Sequence, residues 1–309
     1  MGRRAKLNAK KRNRRILYIS VVVAIVAVIV VLALVVNAVS NDPYSKYIYE
    51  TVPPGVMAGL TGVSSSTLNA VGSVSTVNPP AAINGSADGN PLTANGKPEV
   101  LYVGGEYCPY CAFERWGMIV ALSRFGNFTG VEYMQSSSTD VNANTPTFTF
   151  EAANFTSPYI TFVPVEEFNR TSETVAWHTL TPAQESLVTT YSTGGIPFID
   201  IGNSYVVTGV QDQLVLTTND LSGQNWTAVI SQLNNSQSTI AQGIDGTANT
   251  LITAICKIDG AQPASVCTQP YGTVTLAYTT TAGTVGGPTG LQTDLELAVM
   301  TRAEPRWTS

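Results

Sequence analysis

The reactive side chains of this chain are few. Cys108-Pro109-Tyr110-Cys111 is a CxxC tetrapeptide, Cys256 and Cys267 are a second pair with ten residues between them, and the 309 residues hold one histidine, His178. Two thiols at CxxC spacing serve thiol–disulfide exchange, a permanent crosslink, or half of a zinc site. Zinc would need Cys256 and Cys267 to complete the ligand set, and their spacing is too wide for a zinc pair, so no metal is expected. Cys256 and Cys267 flank KIDGAQPASV. In an oxidising compartment they read as a structural disulfide, worth about 3 kcal/mol for so short a loop, with a second redox pair as the alternative. His178 follows Trp177 in a polar stretch and reads as surface or core. Glu106 and Glu114 flank the CxxC and could move protons, although a solvated surface is the expectation for both. No P-loop and no GxGxxG turn is present, so no organic cofactor is expected.

The CxxC is framed by recognisable elements. Glu99 to Val103 (EVLYV) predicts a short strand ending in Gly104-Gly105, and AFERWGMIVALSRFG predicts a helix that stops at Gly126. Cys108 then sits at or just before a helix N-terminus, where unpaired N–H groups and the helix dipole stabilise a thiolate. Such sites lower a thiol pKa from about 8.5 to about 3.5–7.5, which makes Cys108 the expected nucleophile. Cys111, one turn inside, is the expected resolving thiol. Pro109 suits the first turn and Tyr110 would tune access. Val131 to Met134 and Tyr159 to Val165 read as strands, and a capped helix starts at Thr181-Pro182. Ile196 to Ile201 enters a strand through Pro197, Tyr205 to Val207 returns it, and helices are expected over Asp220 to Leu233, Ile240 to Gln242 and Ala248 to Ile258.

Gly104-Gly105-Glu106-Tyr107-Cys108-Pro109-Tyr110-Cys111 with Arg115-Trp116, and Gly194-Gly195-Ile196-Pro197-Phe198-Ile199-Asp200, resemble an uncharacterised archaeal family of membrane-anchored thioredoxin-like proteins over roughly residues 50 to 270. The resemblance implies a thioredoxin-like α/β fold, a mixed central sheet flanked by helices. It also implies a cis Pro197 beside the cysteines, with the Ile196 backbone pairing an extended substrate segment.

Charge divides the chain. Eight of sixteen Lys/Arg fall in the first fifteen residues, and the remainder carries eight basic against all twenty-one acidic residues, a net of −13. Nucleic-acid binding is excluded for that remainder, which has no basic cluster. Ile16 to Val39 holds twenty-four residues without a charge, enough to cross a bilayer, and the basic flank keeps residues 1 to 15 cytoplasmic. A cleaved signal peptide is the rival reading. Sequons at Asn84, Asn127, Asn154, Asn169, Asn225 and Asn234 all follow the span, which suits glycosylation outside the cell. Few ion pairs means little for acid to discharge, so an acidic exterior is also expected.

The expected organisation is a basic segment (1–15), a transmembrane anchor (16–39), a Pro/Gly/Ser/Thr-rich, partly helical linker (40–97), the thioredoxin-like domain (98–270), and a tail (271–309). Within it Val52, Val56, Leu60 and Val63 recur at helical spacing after Pro53-Pro54, so part of the stretch could pack on the domain, and a wholly flexible linker would reach about 40 Å. The functional expectation is an extracytoplasmic thiol–disulfide oxidoreductase acting on protein thiols and disulfides of secreted or surface proteins, with a membrane redox partner. The alternative is a non-enzymatic surface module with fixed disulfides.

Overall fold

A computed structural model describes residues 16–32, 42–83, 91–212, 218–273, 275–280 and 284–286. Residues 16–32 form helix α1 with exposed apolar side chains. The rest of the expected span, residues 33–39, lies outside the described residues, as do Asn84 and residues 1–15. Among the described residues no helix is long and apolar enough to cross a membrane.

The stretch expected as a linker is packed over residues 42–83. Pro53-Pro54 opens α2 (Pro54–Thr61), and Ser64 caps α3 (Ser65–Val71) by accepting the Thr67 N–H. Val52, Leu60, Val63 and Leu68 are buried in the main core. Apolar side chains at helical spacing, together with a good N-cap, outweigh the Pro, Gly and Ser content that suggested flexibility. A short strand β1 (Ala81–Ala82) follows.

Strand β2 (Thr93–Ala94) turns into β3 (Lys97–Gly105), which feeds α4 (Pro109–Leu122). Before the chain returns in β8 (Thr161–Phe168) it makes four short strands, β4 (Asn127–Thr129), β5 (Glu132–Gln135), β6 (Pro146–Thr149) and β7 (Asn154–Thr156). These pair as β4 with β7 and β5 with β6. Helix α5 (Pro182–Ser192) carries a full capping box between Thr181 and Gln184. Then come the hairpin β9 (Phe198–Ile201) and β10 (Tyr205–Thr208), α6 (Thr218–Leu221), α7 (Trp226–Leu233), α8 (Thr239–Ile258), α9 (Ala264–Cys267), β11 (Ala277–Thr280) and β12 (Thr284–Gly286).

The central sheet is mixed and flanked by helices. Its order is β12-β11-β1-β10-β9-β3-β2, with β8 also on β3. Strand β8 runs parallel to β3 and β9 antiparallel to it. Alternation along β3 separates two cores: Val100 and Tyr102 face the layer of α4 and α8, while Leu101 and Val103 face Leu180 and Val188 around α5.

Two helical expectations change. The helix expected over Asp220 to Leu233 is broken at Gly223, whose φ of +76° ends α6, and Asn225 caps a new helix by accepting the Ala228 N–H. The two helices expected around residues 240 and 248 are one, because α8 is buried along most of its length and its glycine at 246 admits a neighbour, with Val74 2.9 Å from where a Cβ would stand. Packing overrides the helix-breaking tendency there. Two sequons also have structural duties: Asn225 is that cap, and Asn234 accepts the Ser64 N–H at 3.0 Å.

Cys256 and Cys267 are joined, tying the end of α8 to α9 with a Cα–Cα distance of 5.5 Å. Replacing both by serine is expected to lower stability by about 3 kcal/mol, read as a drop in denaturation midpoint. An unchanged midpoint would refute the staple.

The core also holds acids without cationic partners. Asp245 on α8 is fully buried, and neither carboxyl oxygen has a hydrogen-bond partner among the described residues; burial pushes its pKa up to about 8, opposed by Arg124. Burial likewise raises Glu114 to about 8 and Asp200 to about 7. Each takes up a proton on folding, so its stabilising contribution is complete below an unfolded value of about 4 and is lost as pH rises through about 7 to 8. The melting temperature should therefore fall between pH 5 and 9, and Asp245→Asn should flatten that slope. A wild-type melting temperature that climbs over the same range would contradict the assignment.

Candidate thiol site

Strand β3 ends in Gly104-Gly105, and a two-residue step through Glu106 and Tyr107 brings Cys108 to the N-cap of α4. Its backbone is extended, and its Sγ accepts the Cys111 N–H at 3.3 Å, which is the hydrogen bond a capping serine would accept. Pro109 occupies the first turn, where no N–H is missed. Cys108 is 5% exposed and Cys111 0% exposed, and both are free thiols.

Their acidities diverge. The hydrogen bond from Cys111 lowers the Cys108 pKa against the opposing effect of burial, with further help from the Cys111 N–H and the Arg115 charge. Burial pushes the Cys111 thiol well up, and its bond to Cys108 adds to that rise. The outer sulfur is thus the one that ionises, as the position at a helix start predicts.

The Ile196–Pro197 peptide is cis and immediately precedes β9. Phe198 pairs with Val103, so the next step outward on the two strands brings Pro197 toward Gly104. A Cβ on Gly105 would lie 3.2 Å from the Ile196 side chain, so this cis segment borders the step that leads into Cys108. Tyr110, 45% exposed, is the one residue of α4 that is not buried.

Below the thiols the site is charged. Arg115 is 0% exposed and holds Glu166 of β8 through two bonds, Nε to Oε1 at 3.0 Å and Nη2 to Oε2 at 2.6 Å. Its guanidinium lies 5.7 Å from the centre of the Tyr102 ring. Glu166 also accepts the Phe150 N–H. Glu106 and Glu114, expected on a solvated surface, are both fully buried. Glu106 accepts hydrogen bonds from Tyr49 Oη at 2.7 Å and Thr149 Oγ1 at 2.6 Å, and burial raises its pKa. Glu114 faces the other way and accepts the Gln211 N–H. His178 is well removed in role, an exposed ring 2.9 Å from Glu151. Among the described residues no cluster of three or more His, Cys, Asp or Glu could hold a metal ion.

The structure keeps Cys108, Pro109, Tyr110 and Cys111 together at the start of α4, brings Ile196, with Pro197 after it, beside Gly105, and joins Cys256 and Cys267 as a separate disulfide. Reading the sequence missed Arg115, Glu166, Tyr102, Tyr49 and Thr149 as parts of the site. One signal was present: Arg115 and Glu114 are charges inside an otherwise apolar helix, in a chain with only eight Lys/Arg beyond residue 15.

Fold and site together define a mixed α/β protein with a CxxC pair capping a buried helix. The chain belongs to the family described as Domain of unknown function (DUF929), which it matches over residues 86–257. That span includes the CxxC, Arg115, Glu166 and the Ile196–Pro197 segment. No curated protein and no solved structure matches the chain.

Cys108 should be alkylated in the native protein well before Cys111, measured by mass spectrometry of peptides after brief iodoacetamide treatment. Equal labelling of the two would contradict the buried position of Cys111.

Proposed function

We propose that this chain is a membrane-anchored, extracytoplasmic thiol–disulfide oxidoreductase of thioredoxin-like fold, acting on secreted or surface proteins. The observation that carries the reading is the Cys108 sulfur at the start of α4, bonded to the Cys111 N–H and acidified relative to its buried partner. The strand order β8-β3-β9-β10, with the CxxC helix after β3 and the antiparallel hairpin of β9 and β10 entered through Pro197, supports the thioredoxin-like assignment. The uncharged run from Ile16 to Val39 behind a basic flank supports the anchor and its orientation.

In this reading the Cys108 thiolate attacks a substrate disulfide and forms a mixed disulfide. Cys111 then attacks Cys108 and releases the substrate thiol. Ile196 offers backbone groups to an extended substrate segment, as edge pairing does elsewhere, while Pro109 and Tyr110 form the rim. Turnover requires a membrane redox partner to reset the pair, and the direction follows from the potential of Cys108–Cys111 relative to that partner.

Full-length protein in detergent should reduce insulin disulfides or reshuffle scrambled ribonuclease. Cys108→Ser should abolish that turnover, and Cys111→Ser should accumulate the mixed disulfide. Loss of turnover with an unchanged melting temperature supports the enzyme. Absence of wild-type turnover at every redox poise would leave a structural surface module instead.

A further inference from the structure

We infer that Arg115, clamped by Glu166, is the positioning residue that makes Cys111 able to resolve the mixed disulfide, by holding a fixed positive charge beneath a sulfur that water does not reach. The inference rests on the reading of Cys108 and Cys111 as a redox pair and adds to it a device for the second half of the exchange.

The difficulty lies with Cys111. During the first attack Cys108 has the helix start and the Cys111 N–H to favour its thiolate. Once Cys108 is in a mixed disulfide it carries no charge, and Cys111 must ionise while 0% exposed. Removing a charge from water without a partner is strongly unfavourable, so a buried thiolate needs a counter-charge.

Arg115 is placed to supply it. It is four residues after Cys111 on the same helix, hence on the same side and one turn deeper. Its Nε and Nη2 are committed to Glu166, and Nη1 is buried with no hydrogen-bond partner among the described residues. Glu166 is itself drawn toward the Phe150 N–H on the β6 side. The pair therefore has a committed edge and an uncommitted donor. Tyr102, under the guanidinium, has a buried hydroxyl that likewise lacks a partner among the described residues, and a Cβ on Gly104, at the step into the cysteine turn, would collide with it. The Arg115 charge favours ionisation of both thiols. The other ionisable groups around the site are Glu106, occupied by Tyr49 and Thr149, the phenols of Tyr102 and Tyr107, and Cys108 itself.

The step balances without a further reactant. Cys111 sulfur attacks Cys108 Sγ, the Cys108–Cys111 bond forms, and the bond from Cys108 to the substrate sulfur breaks. The substrate sulfur departs with that electron pair and takes a proton equivalent to the one Cys111 gave up. The cysteine pair is oxidised by two electrons and the substrate disulfide is reduced by two.

Ellman's reagent separates the two halves on the full chain in detergent. Attack by Cys108 releases a first thionitrobenzoate, and resolution by Cys111 releases a second. Three variants are compared over pH: Glu166→Gln, which keeps the cation and removes its neutralising carboxylate; Arg115→Met with Glu166→Leu, which removes the pair without stranding a charge; and Arg115→Lys. The second phase should move to higher pH by about one to three pH units in the double variant, tenfold to thousandfold slower at fixed pH, and to lower pH in Glu166→Gln. Arg115→Lys should restore most of the rate, and the first phase should change less throughout. A ¹³Cβ titration of Cys111 in a Cys108→Ser background should show the same opposite shifts. Shifts of the same sign in Glu166→Gln and the double variant, or none, would overturn the inference while leaving the redox reading intact. Release of only one thionitrobenzoate by the wild type would overturn that reading and this inference with it.

Discussion

Helix α4 turns no side toward solvent except at Tyr110, and a helix buried in that way constrains any charge it carries. Water cannot reach Arg115 or Glu114, so each must be matched by protein or neutralised by protonation. Arg115 is matched by Glu166 of β8, on the sheet face against which α4 packs. Glu114 is handled the other way, by holding its proton. The same enclosure produces the asymmetry of the thiols, because the first residue of the turn borders the surface and the fourth does not. Close packing of α4 on α8 sets the enclosure: a Cβ on Gly117 would lie 2.6 Å from the Thr247 side chain. A larger residue there would separate the helices and let water in from below.

The excursion between α4 and β8 completes the enclosure on the remaining side. Trp116 donates its indole N–H to the Pro146 carbonyl, Thr147 donates to the Ala112 carbonyl, and Thr149 donates to Glu106. The β5–β6 ribbon thus supplies one hydrogen bond to the middle of the helix, one to its first turn and one to the step before the cysteines. Tyr49, from the segment that precedes the domain proper in sequence, closes the set on Glu106. The candidate site is therefore built by stretches of chain far apart in sequence, around Tyr49, Cys108, Thr149, Glu166 and Ile196, of which the CxxC is only the most visible.

That construction explains what the sequence could reveal. Local chemistry was legible: the cap at Cys108, proline in the first turn, the capped helix start at Thr181-Pro182, and the strand of EVLYV. The mixed sheet was implied by the family resemblance, and the disulfide between Cys256 and Cys267 was the favoured reading of that pair in an oxidising compartment. Burial of charge was not legible, since α4 lacks the polar face by which amphipathic periodicity distinguishes inside from outside. Residues 42–83 were legible in part. Their composition is that of a linker, while Val52, Val56, Leu60 and Val63 at helical spacing pointed to the packing that fills the core beside α7 and α8. Tyr49 and Thr149 carried no local signal at all, because their role exists only through contact with Glu106.

The packing of residues 42–83 also limits where the thiols can go. Only three peptide steps separate Val39, where the uncharged run ends, from Asp42 at the start of the packed body, a contour of at most about 11 Å. With the apolar helix held in a membrane, as proposed, the body is on a short leash rather than a long one. Substrates would then meet Cys108 within a thin layer above the lipid, and a redox partner in the same membrane would find it by lateral diffusion, in two dimensions instead of three.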